Sequence, residues 1–172
     1  ADPRSASCAS EAKTSASARA RQHHARSYSI HWCGREPDAP NITALLDPSA
    51  LKWGDLVEDG TPLPTPWRKE AYDAADEAYQ ATRRELNEAI AAAVTTGASE
   101  ERIARLRTEE EQHAEAHTQW TEQFLQDEEW AGRVGAFEGA GYSAEGLFRP
   151  QLDCLMFSRR LQPYCAVCER AV

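Results

Sequence analysis

The sequence predicts a mainly α protein: a long antiparallel helical hairpin followed by an irregular, cysteine-stapled C-terminal segment. Three observations carry this. Residues 66–127 hold an apolar stripe of helical period, interrupted at Gly97. The stretch before it, 34–65, is too rich in proline for long regular elements. After residue 128, glycines recur at 132, 135, 139, 141 and 146, and Cys154, Cys165 and Cys168 follow. At 172 residues the chain suffices for one domain with a buried core and is short for two.

Residues 1–33 are rich in Ser, Ala and Arg without sustained periodicity and read as an arm or loop. The run 27–32, Ser-Tyr-Ser-Ile-His-Trp, is the first candidate for an ordered element. Cys8 and Cys33 bracket it, and a disulfide between them would contribute roughly 3 kcal/mol by closing a loop in the unfolded chain. Residues 34–65 connect, with Pro37, Pro40, Pro48, Pro62 and Pro64, then Pro66. One helical turn is expected at 49–57, capped by Ser49. A helix is expected over 66–97, with Thr65 as cap and Pro66 at the first position, where its missing N–H costs nothing. Its face is Ala71, Ala75, Ala78, Tyr79, Thr82, Leu86, Ile90 and Ala93. Gly97 stops it, and Ser99 caps a second helix to about residue 127. That helix's face is Ile103, Leu106, Glu110, His113, His117, Trp120 and Phe124. A turn this short makes the pair antiparallel. Residues 66–130 thus form a hairpin unit and 131–172 a C-terminal unit.

The formal net charge of -9 argues against nucleic-acid binding, which needs surplus Lys and Arg, and against docking on anionic membrane. No run approaches the roughly 20 apolar residues of a membrane span. The chain begins with Ala1, which reads as a mature, processed or partial product. Asn41-Ile42-Thr43 fits the glycosylation sequon.

His113-Ala-Glu-Ala-His117 sets two histidines on one helix face with Glu110 a turn earlier, a weak metal candidate. A zincin helix needs Glu directly after the first His, and Ala114 stands there. The spacing therefore favours seam histidines over a metal centre. His23, His24 and His31 read as surface residues. Cys165-x-x-Cys168 with Cys154 admits structural disulfides, a zinc site or a redox pair. Disulfides are favoured. A zinc would need a fourth ligand from Cys8, Cys33 or a histidine, and the odd count of 5 cysteines leaves at least one unpaired within the chain. The glutamates dense in the second helix read as a solvated face.

The block Gly135-Ala-Phe-Glu-Gly-Ala-Gly-Tyr-Ser-Ala-Glu-Gly-Leu-Phe-Arg-Pro150 continues as Gln151-Leu-Asp-Cys154-Leu-Met156 and then Tyr164-Cys165-Ala-Val-Cys168. It resembles the C-terminal part of the catalytic domain of the M64 peptidases. Looser matches precede it in order: Pro40-Asn-Ile-Thr43 with Leu51-Lys-Trp53, and Gly60-Thr-Pro-Leu-Pro-Thr-Pro66.

The resemblance implies a metzincin-like subdomain of a secreted zinc endopeptidase. The parent's zinc would sit on a His-Glu-x-x-His motif whose Glu activates the bound water. That motif is expected upstream of residue 1, so this chain alone is expected to be inactive. Its partners would be that upstream segment and a protein or peptide substrate. By the same resemblance Met156 would be the methionine of the turn beneath the zinc ligands, and Glu138, Tyr142 and Arg149 would be cleft residues. Tyr142 would donate to an oxyanion, and Arg149 would pair with Asp153 or a substrate carboxylate. Cys154 would pair with Cys165 or Cys168. Relatives have a short connection where the helical hairpin stands, so the hairpin reads as an insertion near the cleft rim. The alternative is a non-catalytic secreted helical module that binds a protein through its hairpin, and a third reading is a small domain stabilised by zinc on Cys and His.

Overall fold

A computed structural model describes residues 35–157 and 163–172. Cys8, Cys33, His23, His24, His31 and the arm expected over 1–33 lie outside the described residues.

Two helices dominate, α1 (Lys69–Thr95) and α2 (Glu100–Gln126). They form the expected antiparallel hairpin. Its turn is a Schellman motif: Gly97 takes φ 65°, the Gly97 amide donates to Val94 O at 3.2 Å, and the Ala98 amide donates to Ala93 O at 2.9 Å. These bonds satisfy carbonyls that the helix end would orphan. Ser99 caps α2 by accepting from the Arg102 amide at 3.3 Å. The seam is half-buried and runs through Ala75, Tyr79, Leu86 and Ile90 against Ile103, Leu106, His113, His117 and Trp120. Ala71, Ala78 and Thr82, expected on the inner face, are exposed, because the seam carries Tyr72, Asp76 and Arg83 in their place.

The start of α1 differs from expectation. Thr65 is no cap. Its amide donates to Ala136 O at 2.8 Å, and its hydroxyl accepts from the Ala136 amide at 2.9 Å and donates to Pro62 O at 2.8 Å. Thr65 is thus held in extended pairing with another segment, and the helix begins only at Lys69. The Glu128 carboxylate satisfies the Arg68 amide from outside the helix, at 3.1 Å. Residues 49–57 hold no single helical turn either. Two 3-10 turns, Pro48–Ala50 and Gly54–Leu56, replace it, and the first is capped by Asp47, not Ser49.

The C-terminal segment is irregular over most of its length, with one β-hairpin that the glycines concealed. Strand β1 (Phe137–Ala140) pairs antiparallel with β2 (Ser143–Arg149). Gly141 and Tyr142 form the two-residue loop, with φ 57° and 63°, the left-handed pair of a type I′ turn. The register shifts between Glu138 and Ala140, where Gly139 adopts φ 100°. A short helix α3 (Ala166–Ala171) ends the described chain.

Two apolar clusters hold this unit. Leu51, Trp53, Val134, Cys154, Cys165, Val167 and Cys168 make one. Leu125, Phe137 and Leu152 make the other, with Trp67, Tyr72, Phe124 and Trp130 packed against it. The second joins the base of the helical hairpin to the β-hairpin. No helix among the described residues is long and apolar enough to cross a membrane.

Candidate functional site

The three segments that carried the resemblance converge on one place. Thr43 bridges to Phe148, each amide donating to the other's carbonyl at 3.1 and 2.8 Å. The Trp53 indole, fully buried, donates to Gly135 O at 2.7 Å. Thr65 grips Ala136 from both sides, and the Gly135 amide donates to Pro150 O at 2.8 Å. Gly135 has no room for a side chain: a Cβ there would lie 2.3 Å from Thr65 Oγ1. Residues 135–137 are therefore clamped by chain segments some 70 to 80 positions away.

On that clamp stands the β-hairpin with the expected cleft residues. Tyr142 sits at its tip, wholly exposed and with positive φ. Glu138 accepts from the Gly146 amide at 2.9 Å and lines an open cleft of about 570 Å³ with Trp67, Arg68, Lys69 and Glu145. Arg149 braces the strands. Its guanidinium donates to Gly139 O and, at 3.2 Å, to Gln151 O, and stacks 5.0 Å over Trp67. Burial pulls its pKa down, against the pull of the Tyr72, Asp153 and Asp73 charges that favour the cation. Met156 is 57% exposed; among the described residues it does not form a buried floor.

Cys154, Cys165 and Cys168 are all buried, and their sulfurs lie within 4.8 Å of one another. Cys154 Sγ and Cys168 Sγ are 3.7 Å apart, well beyond the roughly 2.05 Å of a disulfide. The structure thus gathers the three cysteines without drawing the expected bond. Burial raises the Cys165 thiol pKa, and burial together with the neighbouring sulfurs pushes Cys168 up to about 12. Asn41 is also buried, its amide donating to Cys168 Sγ at 3.4 Å. A glycan on the sequon would have to expose it.

The hairpin histidines are engaged within the seam. Tyr79 stacks on His117 at 3.9 Å and on His113 at 4.9 Å. His117 Nε2 faces Asp76 at 3.2 Å, and Glu110 pairs with Arg83 at 3.6 Å. The cysteine trio is the metal-type cluster found among the described residues; His113, His117 and Glu110 form none.

The IgA Peptidase M64 family model matches residues 23–172. The chain belongs to this peptidase family. The matched span takes in the helical hairpin as well as the segments recognised in the sequence. No curated protein matches the chain.

Among the described residues no cluster fits a catalytic zinc of an M64 peptidase. No His-Glu-x-x-His occurs in the 172 residues, and His113 and His117 lie on the helical hairpin, paired with Tyr79 and Asp76. Sequence reasoning missed Thr65 as a clamp, Asn41 as a cysteine partner, and the pair Arg68–Glu128, whose Nε–Oε1 contact is 2.6 Å. Asn41, Trp53 and Thr65 all fall within the quoted motifs, which was the one available signal.

Proposed function

We propose that this chain forms the C-terminal part of the catalytic unit of a secreted zinc-dependent endopeptidase. The observation that carries the reading is the convergence of residues 40–53, 60–66 and 135–156 on one clamp beneath a β-hairpin. The metal and the water-activating glutamate would belong to a His-Glu-x-x-His segment outside this sequence. This chain would supply one wall of the cleft. Tyr142 would reach the reacting carbonyl from the hairpin tip and donate a hydrogen bond as negative charge develops on its oxygen. Glu138 would fix the strand beneath it through the Gly146 amide. Arg149 would hold Gly139 and so the angle of the tip. Met156 would pack against the segment that carries the ligands.

The test is peptide cleavage by the 172-residue chain alone and by the chain joined to the sequence encoded before it. We expect no cleavage by the chain alone and chelator-sensitive cleavage by the joined protein. There, Tyr142→Phe should lower kcat about 10²-fold with little change in KM, the usual effect of deleting an oxyanion donor. Chelator-sensitive cleavage by the chain alone, or preceding sequence without a His-Glu-x-x-His, would sink the reading. The second reading, a protein-binding helical module, draws on the shallow groove of about 340 Å³ lined by Tyr79, His113, His117 and Trp120. It would gain if the preceding sequence lacked the zinc motif.

A further inference from the structure

The cysteine trio has a geometry that disulfide chemistry does not explain. A single disulfide would use two of the three sulfurs and leave the third as a buried thiol. It would also bring its pair to roughly 2.05 Å. The Cys154–Cys168 sulfur separation is 3.7 Å. Two thiolates on one tetrahedral zinc, each about 2.3 Å from the ion, stand about 3.8 Å apart. The third sulfur also lies within 4.8 Å of both, so all three can face one point.

Two N–H groups are aimed at these sulfurs. The Cys165 amide donates to Cys154 Sγ at 3.2 Å, and the Asn41 side chain donates to Cys168 Sγ at 3.4 Å. Donors of this kind orient metal-bound ligands and offset their charge. The surroundings also call for a staple. The trio joins three stretches of chain: the end of the peptidase-like block at Cys154, the last helix at Cys165 and Cys168, and the proline-rich segment through Asn41. The core around it is Leu51, Trp53, Val134 and Val167, with Leu45, Leu56, Leu63 and Phe157 packed against it.

We propose that Cys154, Cys165 and Cys168 bind a thiophilic divalent ion, zinc by its ligand chemistry, at a structural site. The three thiolates supply three corners of a tetrahedron, and the fourth falls to a donor outside the trio. The ion displaces the thiol protons as it binds. Asn41 is a positioning residue for the Cys168 thiolate. The site stands whether or not the chain takes part in peptide hydrolysis.

The experiment is a cobalt titration of the full 172-residue chain, purified reduced and stripped of metal. We expect a thiolate-to-cobalt charge-transfer band and tetrahedral d–d bands that saturate at one equivalent and are bleached by zinc. Zinc should also protect the three thiols from alkylation and raise the melting temperature. Cys165→Ser and Cys168→Ser should abolish the bands, and Asn41→Ala should weaken cobalt binding by about tenfold, within the range for such supporting contacts. The double variant His113→Ala, His117→Ala should bind as the parent does, which separates this site from the hairpin histidines. A titration without bands, bands that survive loss of Cys165 or Cys168, or non-reducing digestion of the protein as isolated that links Cys154 to Cys165 or Cys168 would overturn the proposal. The parent-chain titration and digestion decide the matter even if a cysteine variant fails to fold.

Discussion

The helical hairpin and the unit around residue 135 are stabilised in opposite ways. The hairpin is built from neighbours: backbone bonds within each helix, a four-residue turn and a half-buried seam; Ala93 and Leu125 are the only buried apolar residues of α1 and α2, and Leu125 packs on Phe137 and Leu152. The unit around residue 135 is built from strangers. Thr43 meets Phe148, Trp53 meets Gly135, Thr65 meets Ala136 and Asn41 meets Cys168. Local contacts can form without the rest of the chain, although isolated helices remain marginal in water. The long-range clamp has to close large loops before its contacts form. The unit expected to do chemistry is therefore the one held by long-range contacts.

The contrast is broken most severely by Trp53→Ala. Truncating a fully buried Trp removes its packing, about 3–5 kcal/mol for such changes, and leaves Gly135 O without the indole donor. That is a large share of the roughly 5–15 kcal/mol that stabilises a domain. Tyr79→Ala in the half-buried hairpin seam should cost less. In Trp53→Ala the near-ultraviolet circular dichroism of the core should be lost at denaturant concentrations where most helical signal persists. If both signals vanish together, the two units are one cooperative body and the contrast fails.

The joint between the units gives a middle-sized test. Arg68 and Glu128 meet at the hairpin base, but their surroundings differ: the Glu128 side chain is 5% exposed and that of Arg68 54%. Arg68→Ala leaves the buried carboxylate with the residue-68 amide but no countercharge and should cost about 3 kcal/mol. Glu128→Ala leaves a cation and a backbone amide, both of which water can reach, and should cost about 1 kcal/mol. Urea unfolding of the two variants checks the order. Equal losses would mean that Glu128 is less enclosed than its burial indicates.

The same division explains what could be read in the sequence. The hairpin was legible, with its stop at Gly97 and its cap at Ser99, because helical period and capping are local signals. The β-hairpin was hidden, although Gly141-Tyr142 between two short apolar-containing runs is a two-residue turn. The positive φ at Gly139 and the register shift beside it break the alternation that marks a strand. Thr65 is ambiguous in the sequence because a threonine before a proline looks the same whether it caps a helix or pairs with a distant segment. The cysteines were legible as a cluster, but their bonding was not: spacing along the chain does not report sulfur–sulfur distances. Only the family resemblance placed Tyr142, Glu138 and Arg149 in one neighbourhood, since nothing local connects them to a cleft.

The smallest effect lies at the hairpin tip. Gly97 adopts φ 65°, and a Cβ there would meet nothing within 4 Å. Gly97→Ala therefore carries no steric clash with the rest of the protein, only the cost of a left-handed alanine, about 1 kcal/mol. Gly97→Asn should cost less, because its short polar side chain tolerates that conformation. Both losses should appear in urea unfolding of the helical signal and leave cobalt binding at the cysteines unchanged. The second half of that expectation is the sharper one. If a strained tip altered metal affinity, the hairpin would be coupled to the clamp through Tyr72, Phe124 and the Arg68–Glu128 joint, and the locally built unit would be a lever on the other.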